Sequence, residues 1–222
     1  MKVTLITHTP DPEKIIASAA KLCYSSSDIE SLMNGLTIEK VEEFIKKLTD
    51  LGHQSPLEHC TFTFGIEGVS RALSHQLVRH RIASFSQKSQ RYVKEGQFEY
   101  IIPPTITENI ADKRVYERFM RDAQETYDYF IRNGVPSEDA RFVLPNACET
   151  KIIMTMNIRS LLHLFEERCC NRAQWEIREM AYKMLSKCKQ VAPNLFANAG
   201  ASCVRDKCKE GKMSCGKPIG GK

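Results

Sequence analysis

The stretch Thr61-Phe62-Thr63-Phe64-Gly65-Ile66 puts Phe62, Phe64 and Ile66 on one side and two threonines on the other. Alternation with period two predicts a half-buried strand. Working outward, residues 2–6 read as a first strand. A helix follows with Ile15, Ile16, Ala19 and Leu22 on one side, ending near Cys23-Tyr24-Ser25. A second helix over 37–51 buries Ile38, Val41, Phe44, Ile45 and Leu48 and stops at Gly52. Helical period resumes over 69–80, and 98–102 is extended until Pro103-Pro104. The longest helical signal, 112–133, shows Val115, Phe119, Ala123, Thr126 and Phe130 on one face, flanked by Tyr116, Met120 and Tyr127, with Gly134 as its C-terminal stop. Residues 149–157 read as a strand, and 158–169 and 175–191 as helices. Strands and helices are interspersed without a βαβ rhythm, which predicts an α+β fold with antiparallel strands.

The 222 residues, 42% of them apolar, suit one domain or two very small ones, and we expect a single domain over 1–200 followed by a loosely ordered basic tail over 201–222. No apolar run approaches the roughly 18 residues that span a bilayer, and Met1-Lys2-Val3-Thr4-Leu5-Ile6-Thr7-His8 turns polar too early for a secretory segment. The expectation is a cytoplasmic protein with no membrane partner. Net charge is +5, of which the last 20 residues carry +4 and the other 202 only +1. A near-neutral body argues against a nucleic-acid partner. Nine cysteines in such a chain are expected as reduced thiols, with Cys23, Cys60, Cys148 and Cys188 as small core residues. Cys203, Cys208 and Cys215 are spaced more loosely than structural zinc pairs usually are, so incidental thiols are expected ahead of a zinc site completed by a fourth ligand such as Cys188. No metal is expected.

None of the eleven glycines completes G-x-G-x-x-G or G-x-x-x-x-G-K-[ST], so any nucleotide must be held by side chains, chiefly arginine and serine. The densest candidate segment is Arg79-His80-Arg81-Ile82-Ala83-Ser84-Phe85-Ser86-Gln87-Lys88-Ser89-Gln90-Arg91-Tyr92. On a helix, Arg79 and Arg81 point about 200° apart and serve different groups. On an extended segment, Gln87, Ser89 and Arg91 share a face suited to a phosphate monoester. In His53-Gln54-Ser55-Pro56-Leu57-Glu58-His59, Ser55 and Glu58 fit a helix capping box. A metal-dependent hydrolase built on His53, Glu58 and His59 matches no established ligand spacing. Farther on, Asn157 and Arg159 flank a strand-to-helix junction, Arg159 and His163 form an i, i+4 pair, and Arg141 and Arg168 are further cations. These arginines lie in distant segments with no acidic cluster in sequence beside them, which suggests a ligand with several anionic groups. The competing reading is a nucleic-acid-binding module that uses the Arg-rich segment and the basic tail.

Arg79-His80-Arg81 followed after seven residues by Ser89 resembles the signature of flavin-dependent thymidylate synthases. The order of Gly52-His53-x-Ser55-Pro56-x-Glu58-His59, Arg141-x-Val-Leu-Pro, Asn157-x-Arg159-Ser160-Leu161 and Ala173-Gln174-Trp175-Glu176 extends the resemblance over about residues 1–195. It implies an α+β homotetramer that converts dUMP to dTMP. Methylenetetrahydrofolate would supply the carbon, and FAD reduced by NADPH the hydride. It also implies that His53, Ser55, Arg79, His80, Arg81, Gln87, Asn157, Arg159 and His163 contact FAD. Gln76, Arg79, Gln87, Ser89, Gln90, Arg91, Arg141 and Arg168 would hold dUMP, with Arg168 activating the pyrimidine and no enzyme nucleophile. Two positions depart from the family pattern. Gln87 stands where an acid is frequent, and His163 where asparagine is common.

Overall fold

The computed structural model describes residues 1–205 and 207–219. In chain order its elements are β1 (Lys2–His8), α1 (Pro12–Leu22), α2 (Ile29–Asn34), α3 (Ile38–Asp50), a 3-10 turn (Ser55–His59), β2 (Thr61–Ser70), α4 (Arg71–Leu77), β3 (Ala83–Gln87), α5 (Pro104–Thr107), α6 (Ile110–Arg132), α7 (Ser137–Ala140), β4 (Glu149–Asn157), α8 (Ile158–Arg168) and α9 (Trp175–Val191). The strands form one sheet in the order β1-β2-β4-β3, and with the helices make the fold α+β. Contacts cluster the chain into two compact units. One comprises Met1–Lys2, Ile66–Arg79 and Phe85–Ile153; the other comprises Val3–Gly65, His80–Ser84 and the described residues of Met154–Lys222.

In the first unit, α6 buries Met120, Ala123 and Tyr127, the first two in one cluster with Phe98 and Cys148. The buried stripe is rotated from the one the apolar pattern suggests, for Val115 and Phe119 are more than half exposed. The segment before residue 102 sets this rotation because its backbone must be satisfied. Gln124 Oε1 accepts the Phe98 N–H at 2.8 Å, its Nε2 donates to the Glu95 carbonyl, and the Tyr127 hydroxyl accepts the Glu95 N–H. A buried amide left without a partner costs more than an exposed valine, so the polar contacts decide the face. Helix α4 is shorter than the 69–80 expected. β2 runs through Ser70, whose hydroxyl accepts the Leu73 N–H as a cap, and the helix ends at Leu77.

The second unit has an aromatic and aliphatic centre. Phe62, Phe64, Phe165 and Phe196 are fully buried, and Phe196 meets Phe62 and Phe165 edge-on at 5.8 and 6.0 Å between ring centroids. Helices α1 and α3 pack together, as do α8 and α9. Val41, Ile45 and Leu48 form the inner face of α3, whereas Ile38, expected inside, lies at its open start and is 75% exposed. Caps fix the helix starts. The Asn157 Oδ1 accepts the Ser160 N–H at 2.8 Å, and the Gln174 Oε1 accepts from Glu176 and Ile177. The capping box at Ser55 does not form. The segment is a 3-10 turn without a side-chain cap, and the Glu58 carboxylate accepts instead from Arg159.

The expected tail falls partly on residues 206 and 220–222, which lie outside the described residues. Its described part holds short 3-10 turns at Ser202–Val204 and Gly211–Met213. Arg205 and Lys209 both donate to the Glu166 carboxylate, at 2.9 and 2.6 Å. Burial lifts the Glu166 pKa, but the Lys209 hydrogen bond and the two cations prevail and hold it below the usual carboxylate value. No helix among the described residues is long and apolar enough to cross a membrane.

Candidate active site

The candidate residues divide between the two units. Gln76, Arg79, Gln87, Ser89, Gln90, Arg91 and Arg141 belong to the first; His53, Ser55, His80, Arg81, Asn157, Arg159, His163 and Arg168 belong to the second.

In the first unit β3 ends at Gln87, so Gln87, Ser89 and Arg91 do not line one extended face. A turn follows, in which the Ser89 hydroxyl accepts the Arg91 N–H at 3.2 Å. Gln87 is held from both sides, its Nε2 donating to the Ser74 hydroxyl at 3.0 Å and the Thr150 hydroxyl at 3.1 Å. The amide proves structural as well as accessible, since its Oε1 is left to accept from a ligand. Arg91 Nε and Nη2 both donate to Glu138 Oε2, and Arg141 Nε donates to the Glu138 carbonyl at 3.1 Å. One residue thus draws together two arginines 50 positions apart in sequence. Glu138 lies three residues before Arg141 but far in sequence from Arg91, so the pairing with Arg91 is not visible in the sequence. Arg71 is a third cation, one that the sequence reading misses. Its Nε is buried without a partner, and burial followed by the charge of Arg141 lowers its pKa. Two guanidinium groups close enough to repel are a fitting receptor for a dianion.

The second unit gathers residues from opposite ends of the chain. Arg159 donates to Gln54 Oε1 and to Glu58, tying α8 to the 3-10 turn beside His53 and Ser55. His53 lines a cavity of about 540 Å³ with Gln54, Leu57, Leu162 and Asn198, and one of about 300 Å³ with Ser55, Phe44 and Leu51. Arg79 and Arg81 lie beyond α4, not on it, so helical geometry does not set their directions. Both are exposed, and their side chains make no hydrogen bond or ion pair among the described residues. Arg81, Arg159, Ser55 and His53 all belong to the second unit and are donors of the kind a phosphate-bearing flavin requires.

His80 and Arg168 are two candidate residues that the fold brings into direct contact. Arg168 Nε donates to His80 Nε2 at 2.9 Å, and the His163 ring stands edge-on to His80 at 5.9 Å. An arginine cannot accept, so His80 Nε2 is unprotonated and the ring proton sits on Nδ1. Burial, then Arg168, then His163 push the His80 pKa down to about 4. The unfolded chain would protonate this histidine near its ordinary value of 6.5, so the unfolded state binds more protons between the two. His80 therefore contributes stability above about pH 6.5, and this is lost as pH falls through 4. An NMR titration of the imidazole Cε1–H should give a midpoint near pH 4; a midpoint near 6.5 would contradict the buried neutral ring.

The thiols are protonated where they are buried. Burial raises Cys60 to about 11 and Cys148 and Cys169 to about 12, and raises Cys188 further. Cys23, expected inside, is exposed at the end of α1. Among the described residues, no three His, Cys, Asp or Glu side chains are grouped to hold a metal ion.

A family model described as thymidylate synthase complementing protein matches residues 4–194. This defines the class of protein. Among individual relatives, the flavin-dependent thymidylate synthases of Clostridium tetani and Geobacter sulfurreducens are each 53% identical to this chain, over 98% of it and 94% of their own length. That of Pyrococcus furiosus is 42% identical over 92% of this chain and 87% of its own. The chain belongs to the flavin-dependent thymidylate synthase family and is an enzyme of the methyltransferase type.

Proposed function

We propose that this chain methylates dUMP to dTMP in the cytoplasm, taking the carbon from methylenetetrahydrofolate. Bound FAD, reduced by NADPH, supplies the hydride. The reading rests on one observation above others: His80 comes from a distant segment to meet Arg168 and His163 of α8, beside a cysteine that is buried and protonated.

In this reading Arg91, Arg141, Ser89, Gln90, Gln76, Arg79 and Gln87 hold the nucleotide, with Arg91 and Arg141 gripping its phosphate. Arg168 faces the pyrimidine carbonyl and N3. As C5 becomes nucleophilic, negative charge grows on that edge, and a fixed cation lowers the barrier because it needs no reorganisation. Cys169 follows Arg168 directly, but a thiol with a pKa near 12 presents almost no thiolate at neutral pH, which favours a route without an enzyme nucleophile. His53, Ser55, Arg79, Arg81, Gln87, Asn157, Arg159 and His163 contact the flavin, as does His80 with the little surface it leaves exposed. Copies of the chain assemble as a homotetramer, in keeping with the exposed Val115 and Phe119 on α6 and the exposed Phe142. The alternative of a polynucleotide ligand is weakened by the tail itself, where Arg205 and Lys209 are paired with Glu166.

The visible spectrum of purified protein, before and after addition of FAD, tests this reading. A flavin spectrum is expected, with dTMP formed only when dUMP, methylenetetrahydrofolate and NADPH are all present. A colourless protein unable to take up FAD would overturn it.

A further inference from the structure

We infer that His80 is the positioning residue for Arg168: its unprotonated Nε2 anchors the guanidinium through Nε and aims the other two nitrogens at the pyrimidine. This deepens the reading above and rests on Arg168 acting on dUMP. The stem nitrogen of an arginine fixes the plane of the whole fork, so one acceptor at Nε is enough to orient both terminal NH₂ groups. The acceptor is itself held. His80 is only 8% exposed, and His163 abuts its ring.

The choice of acceptor carries the argument. A carboxylate at this position would orient Arg168 equally well, but would neutralise the charge that has to meet the developing enolate. A neutral imidazole orients the cation and leaves that charge intact. The same contact keeps the imidazole neutral, since a proton on Nε2 would face Arg168 directly. Orientation and protonation state are therefore one device. Displacing a reacting contact by about 1 Å can cost on the order of 100-fold in rate, which bounds what such anchoring can be worth.

The test uses flavin-loaded enzyme and compares H80L, H80Q and H80E with R168A. Loss of the acceptor in H80L should lower kcat about 30-fold, with flavin content and dUMP affinity held within about threefold. H80Q, which restores a neutral acceptor, should recover kcat to within about fivefold of the parent. H80E orients the fork but cancels its charge, and should stay as slow as H80L. In the R168A background, H80L should cause no further loss, because the histidine would have nothing left to position. Parental kcat in H80L, or failure of glutamine to rescue, would overturn the inference. So would activity lost in step with flavin, which would make His80 a cofactor contact alone. If R168A itself stays active, the role of Arg168 fails instead, a separate outcome.

Discussion

Replacing Arg168 with alanine should lower kcat by about 10²–10³-fold while the flavin stays bound. The magnitude is that of removing one preorganised donor from a site of developing charge, about 3–4 kcal/mol of barrier. Flavin retention follows from the geometry: Arg168 contacts His80, whereas Arg159 holds the turn beside His53 and Ser55 through Gln54 and Glu58. Steady-state rates and the flavin absorbance of the same preparation decide the matter. Equal loss of both would reassign Arg168 to cofactor binding. A second readout comes from the neighbour it leaves behind. Without the Arg168 charge, His80 should titrate higher than about 4, though burial will still hold it below 6.5.

The largest expected effect on stability is at Phe196. Phe196→Ala should cost about 3–5 kcal/mol, through lost burial and the cavity left between neighbours that cannot collapse fully. Phe62 and Phe165, both fully buried, each lose an edge-on partner. For a chain of this size, the melting temperature should fall by about 10 °C. Ile38→Ala is the matched control. Its side chain is 75% exposed, so a change within about 0.5 kcal/mol is expected. Denaturant midpoints for the two variants check both values. A large loss at Ile38 would show that its face is covered in the assembled protein.

Phe196 was not legible in sequence, since it follows α9 in a segment with no period. By contrast, β4 and α9 begin and end where the pattern puts them, at Glu149–Asn157 and Trp175–Val191. Both alternate or repeat cleanly along their whole length, so local pattern and tertiary burial agree. Helix α2 escaped notice because its six residues bury only Leu32 and leave too short a stripe to see. α6 was found as a helix, but its inner face was misassigned, because Gln124 and Tyr127 are aligned by backbone groups about 30 residues away. The same limit applies to the site. Motifs named the arginines, but that Glu138 joins Arg91 to Arg141, or that His80 meets Arg168 across 88 positions, is distance information that no local pattern carries.

The burial of the thiols also governs how the protein should be handled. Alkylating reagents and peroxide attack the ionised, accessible sulfur, so Cys60, Cys148, Cys169 and Cys188 are shielded twice over. Cys23 is exposed, with Cys170 and the three tail cysteines partly so. Maleimide dyes will therefore decorate the α1 terminus and the C-terminal extension first. Storage without reductant will cross-link molecules through those same positions before the interior is touched.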